Sequence, residues 1–472
     1  MMRAPEPKMY SPPTITGELG RTDAVVARNS LARSAPWSSS FCDQIDKINV
    51  DDLIEKFGSP LFVFSERTVL ETARRARKAF KKVYPNTTFG WSYKTNYLQA
   101  ICNLFHKEGW IAEVVSEFEY LKAELAGIPG KDIIYNGPCK SRGSLEHALR
   151  QGSLVQIDNW DELGVVEEIT STMDHCVNVG IRTWMDTGFA PAWSKFGFAL
   201  ASGEAMRAAL RVMSNPHLKL HTLHSHIGTY VLEQKAYTVA TQRLVELRNT
   251  IFGKTGYLLP CLNLGGGFPS SSSLHELPEN TKVPPIEDYA AAIAGVLNEL
   301  PSKQRPQLRL EIGRHLIDDA GYLITSVVAV KGSERGKAVN RGKRSRGGYI
   351  VDAGVGLLYT STWFRVGVTP TMPSHSPHTD AVKLYGCLCM NIDVIREEVT
   401  LPPLEVNDKL VLHPVGAYNL AQSMQFISLR PAVVLIGLNG SVHVIRRREK
   451  LDDIERVEQV PTHLQLSQSI AR

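Results

Sequence analysis

The sequence predicts an α/β protein: a (β/α)8 barrel of the TIM type over residues 46–320, followed by a β-sheet domain over 321–446. Three observations predict it. From about residue 60, short runs rich in β-branched and aromatic residues alternate with longer stretches of helical period, as repeated βα units around a parallel sheet require. About eight such runs follow in series, the number that closes a barrel, without the switch in order expected of a doubly wound open sheet. After residue 320 the helical signals fade and β-rich runs dominate.

A chain of 472 residues has room for two domains and a core that encloses a site. Residues 1–45, rich in Pro, Ser, Ala and Arg without a sustained period, read as a flexible extension, and 46–60 could join the β domain. Barrel strands are expected at 88–93, 110–115, 132–136, 154–157, 176–182, 218–227, 261–264 and 308–312. Helical periodicity lies between them, as at 117–126, 144–151, 160–171, 232–252 and 286–300. In the second domain, strands are expected at 322–330, 348–351, 382–389, 409–413, 433–438 and 440–445. The stretch 331–346, with Lys and Arg set among Gly and Ser, reads as a solvated basic hairpin, with docking of an acidic partner as the alternative. Residues 447–472 form a polar tail.

Bulk properties narrow the function. A net charge of +5 is small for this length and argues against a nucleic-acid binder. No apolar run approaches the roughly 20 residues that span a bilayer, so no membrane partner is expected. The start of the chain lacks an apolar h-region, and Glu6, Glu18 and Asp23 do not suit a transit peptide. Seven scattered cysteines read as reduced thiols, and a cytoplasmic location is expected. No metal site is expected, because Cys387 and Cys389 have no second Cys or His pair at zinc spacing.

Chemically suggestive residues fall at the expected strand ends, the face where barrel enzymes assemble their sites. Lys94 closes the first strand; desolvation there is expected to lower its pKa and free the amine to condense with an aldehyde. Glu113, Asn136 and Arg182 lie at later strand ends. His224 and His226 share one strand face, so an imidazole could stack on a flat cofactor, with a plain core histidine as the alternative. Gly265, Gly266 and Gly267 follow the seventh strand and read as a phosphate cradle or simply a tight turn. Glu311 and Arg314 end the eighth, suited to a protonated ring nitrogen and a phosphate, or else to a structural ion pair. An aldehyde-reactive lysine, a phosphate cradle, a ring-nitrogen acid and a stacking histidine together describe a site for pyridoxal 5'-phosphate.

With these residues in view, 50–444 resembles the barrel-type (fold-type III, alanine-racemase-like) pyridoxal-phosphate decarboxylases, the ornithine, diaminopimelate and arginine decarboxylase group. Tyr93-Lys94-Thr95-Asn96 resembles the segment bearing the Schiff-base lysine, and Ser194-Lys195-Phe196-Gly197 matches the SKFG turn. The resemblance implies catalytic roles for Lys94, His226 and Cys389, with Cys389 or Lys94 returning a proton to the carbanion. It implies cofactor contacts from Lys94, Glu113, Arg182, His226, Thr229, Gly265, Gly266, Gly267, Glu311, Arg314 and Tyr418. It also implies a homodimer with shared active sites and an amino-acid substrate.

Departures from the group concern the substrate. Met390 stands where an acid usually reads a distal amine, and Thr360 stands where ornithine decarboxylases place another acid. Gly356-Leu357 replaces the Arg-Pro that holds the distal carboxylate in diaminopimelate decarboxylases, and Phe426-Ile427 replaces an aromatic-Asn pair. A buried charge without its partner costs several kcal/mol, so neither plain ornithine nor diaminopimelate is the expected substrate. Asp393 is a further candidate for reading an amine. Two alternatives stand beside decarboxylation. One is an amino-acid racemase, against which Glu311 argues because alanine racemases place an arginine there; the other is a non-catalytic homologue that binds a protein partner.

Overall fold

The structure is a computed structural model that describes residues 41–189, 191–332, 347–373 and 380–466. The expected extension up to residue 40, the basic loop from residue 333 to 346 and the end of the polar tail lie outside the described residues.

Eight parallel strands form the barrel: Thr87–Ser92, Ile111–Val114, Ile133–Tyr135, Leu154–Ile157, Val177–Trp184, Leu218–His224, Cys261–Asn263 and Gln307–Ile312. Each pairs with the next, and the eighth closes on the first through Leu310 opposite Phe89 and Ile312 opposite Trp91. Both faces of such strands are covered, so they read as nearly continuous apolar runs. Trp91, Ala112, Ile133, Val155, Ile181 and Leu262 are accordingly fully buried. Helices start promptly where a polar residue caps them. Ser116, Ser141 and Asn159 each accept the backbone N–H three residues on, satisfying a donor that a helix start leaves bare. The polar strand-end residues are thereby held at one mouth of the barrel.

The second sheet differs from expectation at its centre. Leu61–Ser65, which falls within the span expected for the barrel, runs antiparallel to Gly321–Lys331 and parallel to Ala432–Ile436. All five of its residues are buried. The apolar run was visible, but its partners lie far along the chain. Ser65 then caps Glu66–Val83 by accepting the Thr68 N–H, and that helix returns the chain to the barrel.

The strand expected at 382–389 is Asp380–Tyr385, because Gly386 turns to donate its N–H to the Asp393 carbonyl. Cys387, Cys389 and Met390 therefore lie in a loop leading to Val394–Leu401, a strand the pattern had not singled out. One apolar core runs from Trp91 and Tyr93 through Leu316 and Ala320 to Leu323 and Ala417, joining barrel and sheet. Among the described residues no helix is long and apolar enough to cross a membrane.

Candidate active site

Strand ends bring one lysine and two carboxylates together. Lys94 sits in the short turn Tyr93–Thr95 after the first strand, and its Nζ donates to Glu113 Oε2 at 2.5 Å. Its side chain is 36% exposed against 1% for Glu113, so a ligand can reach the amine while its acid partner is sealed. Asn136, following the third strand, donates from Nδ2 to Glu113 Oε1 at 2.9 Å and to Glu311 Oε2 at 2.9 Å. Asn263 donates to Glu311 Oε1 at 2.6 Å and accepts the Gly265 N–H at 3.0 Å. Asn263 was not singled out from the sequence, although a lone amide in the otherwise apolar run Cys261-Leu262-Asn263-Leu264 was a usable signal.

The electrostatics overturn the expected lowering of the Lys94 pKa. Burial does push the ammonium down, but the charges of Glu113, Tyr418 and Glu311 outweigh it, and the net shift is upward. Burial acts to raise Glu113 as well, yet Lys94 carries it below the usual carboxylate range. Glu311, desolvated and facing the Glu113 charge, is pushed up to about 7. Lys94 and Glu113 thus form an ion pair, and Glu311 is the member of the trio poised to exchange a proton near neutrality.

His226 Nδ1 accepts the Gly266 N–H at 3.0 Å, which leaves Nε2 to carry the proton of the neutral ring. Burial, Arg182 and Lys94 hold its pKa well below 6.5. Trp193, which the sequence had not marked, leans on the same ring with centroids 5.1 Å apart. Around Trp193 and Lys195, residues 192–196 line a cavity of about 410 Å³. His224 is fully buried, with Nδ1 3.6 Å from Glu311 Oε1 and without a hydrogen bond at that nitrogen among the described residues.

The glycine turn is tighter than a simple cradle. Gly265 has φ of 60°, and a Cβ on Gly266 would lie 2.2 Å from the Glu311 carbonyl oxygen. Contrary to the expectation of three inward donors, the Gly265 and Gly266 N–H groups are used internally by Asn263 and His226. Only Gly267 retains an uncommitted N–H among the described residues of that turn.

Arg314 opens the short helix Arg314–Ile317, and its guanidinium meets Asp318 at 3.0 Å between the rings of Phe364 and Tyr418, 4.2 and 5.1 Å away. Asp318 also accepts from Ser270, Ser272 and the Ala417 N–H, so it anchors Arg314 to both halves of the molecule. Arg314 Nε has no partner among the described residues. Tyr418 is held at φ of 67° by its N–H bond to the Thr95 carbonyl, one residue from Lys94. Arg182 is buried against the Phe196 ring at 4.3 Å and lies 3.7 Å from Asp158. Thr229 is exposed.

The β-domain candidates are arranged differently. Cys389 is exposed on the loop before Val394–Leu401 and makes no hydrogen bond to the Lys94 cluster among the described residues. Met390 lies on the same loop. Thr360 donates from both its N–H and its hydroxyl to Asn419 Oδ1, at 3.0 and 2.9 Å. Asp393 does not stand free to read a substrate amine. It is 3% exposed and accepts the Val355 and Leu388 N–H groups at 2.7 and 2.6 Å, pinning two loops together.

The donor set fits pyridoxal phosphate. A reachable amine, an acid of near-neutral pKa and a turn that tolerates no added Cβ accompany buried polar atoms that lack partners among the described residues: Arg314 Nε, Ser225 Oγ, His224 Nδ1 and Asn136 Oδ1. Unpaired buried polar atoms are costly, and a polar ligand relieves the cost.

Comparison with known proteins agrees. Residues 70–318 match the family described as pyridoxal-dependent decarboxylase, pyridoxal binding domain. A diaminopimelate decarboxylase of Methanocaldococcus jannaschii is 28% identical over 441 residues, covering 89% of this chain and 95% of that protein. One from Bacillus subtilis is 27% identical over 425 residues, covering 86% and 92%. The crystal structure of the M. jannaschii diaminopimelate decarboxylase in complex with L-lysine superposes with a TM-score of 0.80 at 26% identity, over 89% of this chain and 97% of that one. A closed barrel gathering its acids around one reachable lysine, matched by the family over more than half the chain, identifies this protein as a member of the pyridoxal-dependent decarboxylases, enzymes that use pyridoxal phosphate to remove the carboxylate of an amino acid.

Proposed function

We propose that this enzyme decarboxylates an amino acid whose far end is neither the plain ammonium of ornithine nor the second amino-acid head group of diaminopimelate. The observation that carries the proposal is the absence of a free charge at the three positions considered for reading that end. Met390 is apolar, the Thr360 hydroxyl is engaged with Asn419, and both Asp393 oxygens accept backbone N–H groups. An ammonium or carboxylate buried there would lack a partner, at a cost of several kcal/mol.

When bound, pyridoxal phosphate supplies the electron sink that takes up the negative charge left as carbon dioxide departs. The chain's own groups do the rest. Lys94 Nζ, the one amine among these groups that a ligand can reach, would hold the cofactor through its aldehyde. Glu311 keeps a proton at the ring nitrogen, and the neutral His226 ring offers a flat face for stacking. The glycine turn and Arg314 hold the phosphate, with Tyr418 beside them. Glu113 balances the Lys94 charge, and Arg182 and Thr229 complete the rim. A proton returns to the reacting carbon from the Cys389 thiol or from Lys94 Nζ. The homodimer that the family resemblance implies, in which a second copy brings the cysteine to the site, is supported by Cys389 being exposed and making no hydrogen bond to the Lys94 cluster among the described residues.

The names of the relatives favour diaminopimelate as the second reading. An acid at Glu311, rather than an arginine, favours decarboxylation over racemisation. A screen of diamino, dicarboxylic and conjugated amino acids, scored for carbon dioxide and for D-isomer, tests the proposal. Efficient turnover of ornithine or diaminopimelate would overturn the substrate assignment. A Lys94→Ala protein that keeps the visible absorbance of bound cofactor would overturn the role of Lys94.

A further inference from the structure

We propose that Asn136 is a positioning residue of this site: its one amide nitrogen bridges Glu113 and Glu311 and so governs how protons are shared among Lys94, Glu113 and Glu311. The inference rests on the reading of Lys94 and Glu311 as the groups that hold the cofactor.

The bridge uses both amide hydrogens, one for each carboxylate, at 2.9 Å each. The orientation is fixed by Glu113, since its ionised carboxylate only accepts and the amide oxygen facing it would be repelled. Asn136 is 3% exposed, and its Oδ1 is buried without a partner among the described residues. A residue kept only for packing would not leave an amide oxygen orphaned; an apolar side chain of similar volume would fill the place at lower cost.

The four carboxylate oxygens each have an assigned donor. Glu113 takes Lys94 on one oxygen and Asn136 on the other, with the Ser92 hydroxyl as a further donor to it, while Glu311 takes Asn136 and Asn263. Removing Asn136 therefore takes a donor from each acid at once, and no other side chain of the cluster donates to both among the described residues. Other ionisable groups face the trio of Lys94, Glu113 and Glu311: Arg182 on the fifth strand, His224 at the end of the sixth and His226 just beyond it, and Tyr418 from the β domain. Glu119 lies behind Glu113, and Cys261 near Glu311. None of these hydrogen-bonds to both carboxylates among the described residues.

Amide donors favour the ionised form of a carboxylate, so their loss raises the proton affinity of both acids. It also leaves a more negative field at Lys94, which then holds its own proton more tightly. A carboxylate placed at the same position acts in the same direction and more strongly.

The test is a pH titration of the visible absorbance of cofactor bound through Lys94. In Asn136→Ala the midpoint is expected to rise by about one unit, a tenfold change in proton affinity, and in Asn136→Asp by more. Midpoints within about 0.2 units of the parent in both variants, with cofactor still bound, overturn the proposal even if turnover falls. Should the alanine protein fail to accumulate, Asn136→Ser provides the same comparison with a smaller expected rise. Each titration is paired with Lys94→Ala in the same background. Persistence of the band there refutes the reading of Lys94 itself, a failure distinct from that of the bridge.

Discussion

Asparagine in place of Asp393 separates a carboxylate that pins the fold from one that reads a substrate. In the structure its two oxygens each accept a backbone N–H, from Val355 at 2.7 Å and Leu388 at 2.6 Å, with 3% of the residue exposed. Gly386 packs so closely that a Cβ there would lie 2.2 Å from the carboxylate. Asp393→Asn keeps one acceptor and turns an NH2 toward the other N–H, forfeiting one charge-assisted bond, worth about 1.5–3 kcal/mol. Asp393→Ala leaves two buried N–H groups unsatisfied, at about 1–3 kcal/mol each. Against a typical stability of about 5–15 kcal/mol these are large fractions. Urea unfolding of the cofactor-free proteins should rank the midpoints parent, Asn, Ala, and the asparagine enzyme should keep KM within about threefold. A KM raised about tenfold or more, equivalent to about 1.4 kcal/mol, with an unchanged unfolding midpoint would refute the pinning role and restore Asp393 as an amine reader.

Two further outcomes follow from the site. Glu311 has a folded-state pKa of about 7 against an ordinary 4.5, so the folded protein retains a proton that the unfolded chain releases across that interval. Its contribution to stability is fully present below pH 4.5 and is lost as the pH rises to about 7. Cofactor-free parent should therefore lose melting temperature relative to Glu311→Gln over that window; parallel curves would show that Glu311 is not perturbed. Gly266→Ala places a Cβ 2.2 Å from the Glu311 carbonyl oxygen, and backbone must move. Cofactor affinity measured by absorbance titration should fall at least about tenfold, and an unaltered affinity would mean that the turn does not shape the phosphate site.

The barrel was legible because its strands are local, largely apolar runs with a polar residue at or beside the end, and both properties can be read from a few neighbouring positions. Lys94, Glu113, Glu311 and the glycine turn stood out for the same reason. Leu61–Ser65 was not singled out as a strand and fell within the span expected for the barrel, because its partners at Gly321–Lys331 and Ala432–Ile436 are remote, and nothing in four apolar residues and a serine specifies which edge they join. The direction of the Lys94 shift was missed for a related reason. Burial can be guessed from local pattern, but the opposing charges of Glu113 and Glu311 act only once separate strand ends meet. Asp393 looked like a free acid on a specificity loop; its two backbone donors come from turns whose proximity only the folded sheet creates.

The central position of Leu61–Ser65 also bears on how the chain is made. The strand leaves the ribosome early, yet its neighbour Ala432–Ile436 follows about 370 residues later, after the whole barrel has been translated. At roughly 5–20 residues per second, that is an interval of about 20 to 70 s during which one edge of this largely apolar segment stays unpaired, even once Gly321–Lys331 is made to cover the other. The barrel can close on its own contacts in that time, but the sheet behind it cannot, so a nascent chain arrested before residue 432 would display this strand to chaperones while its eight-stranded partner is already built.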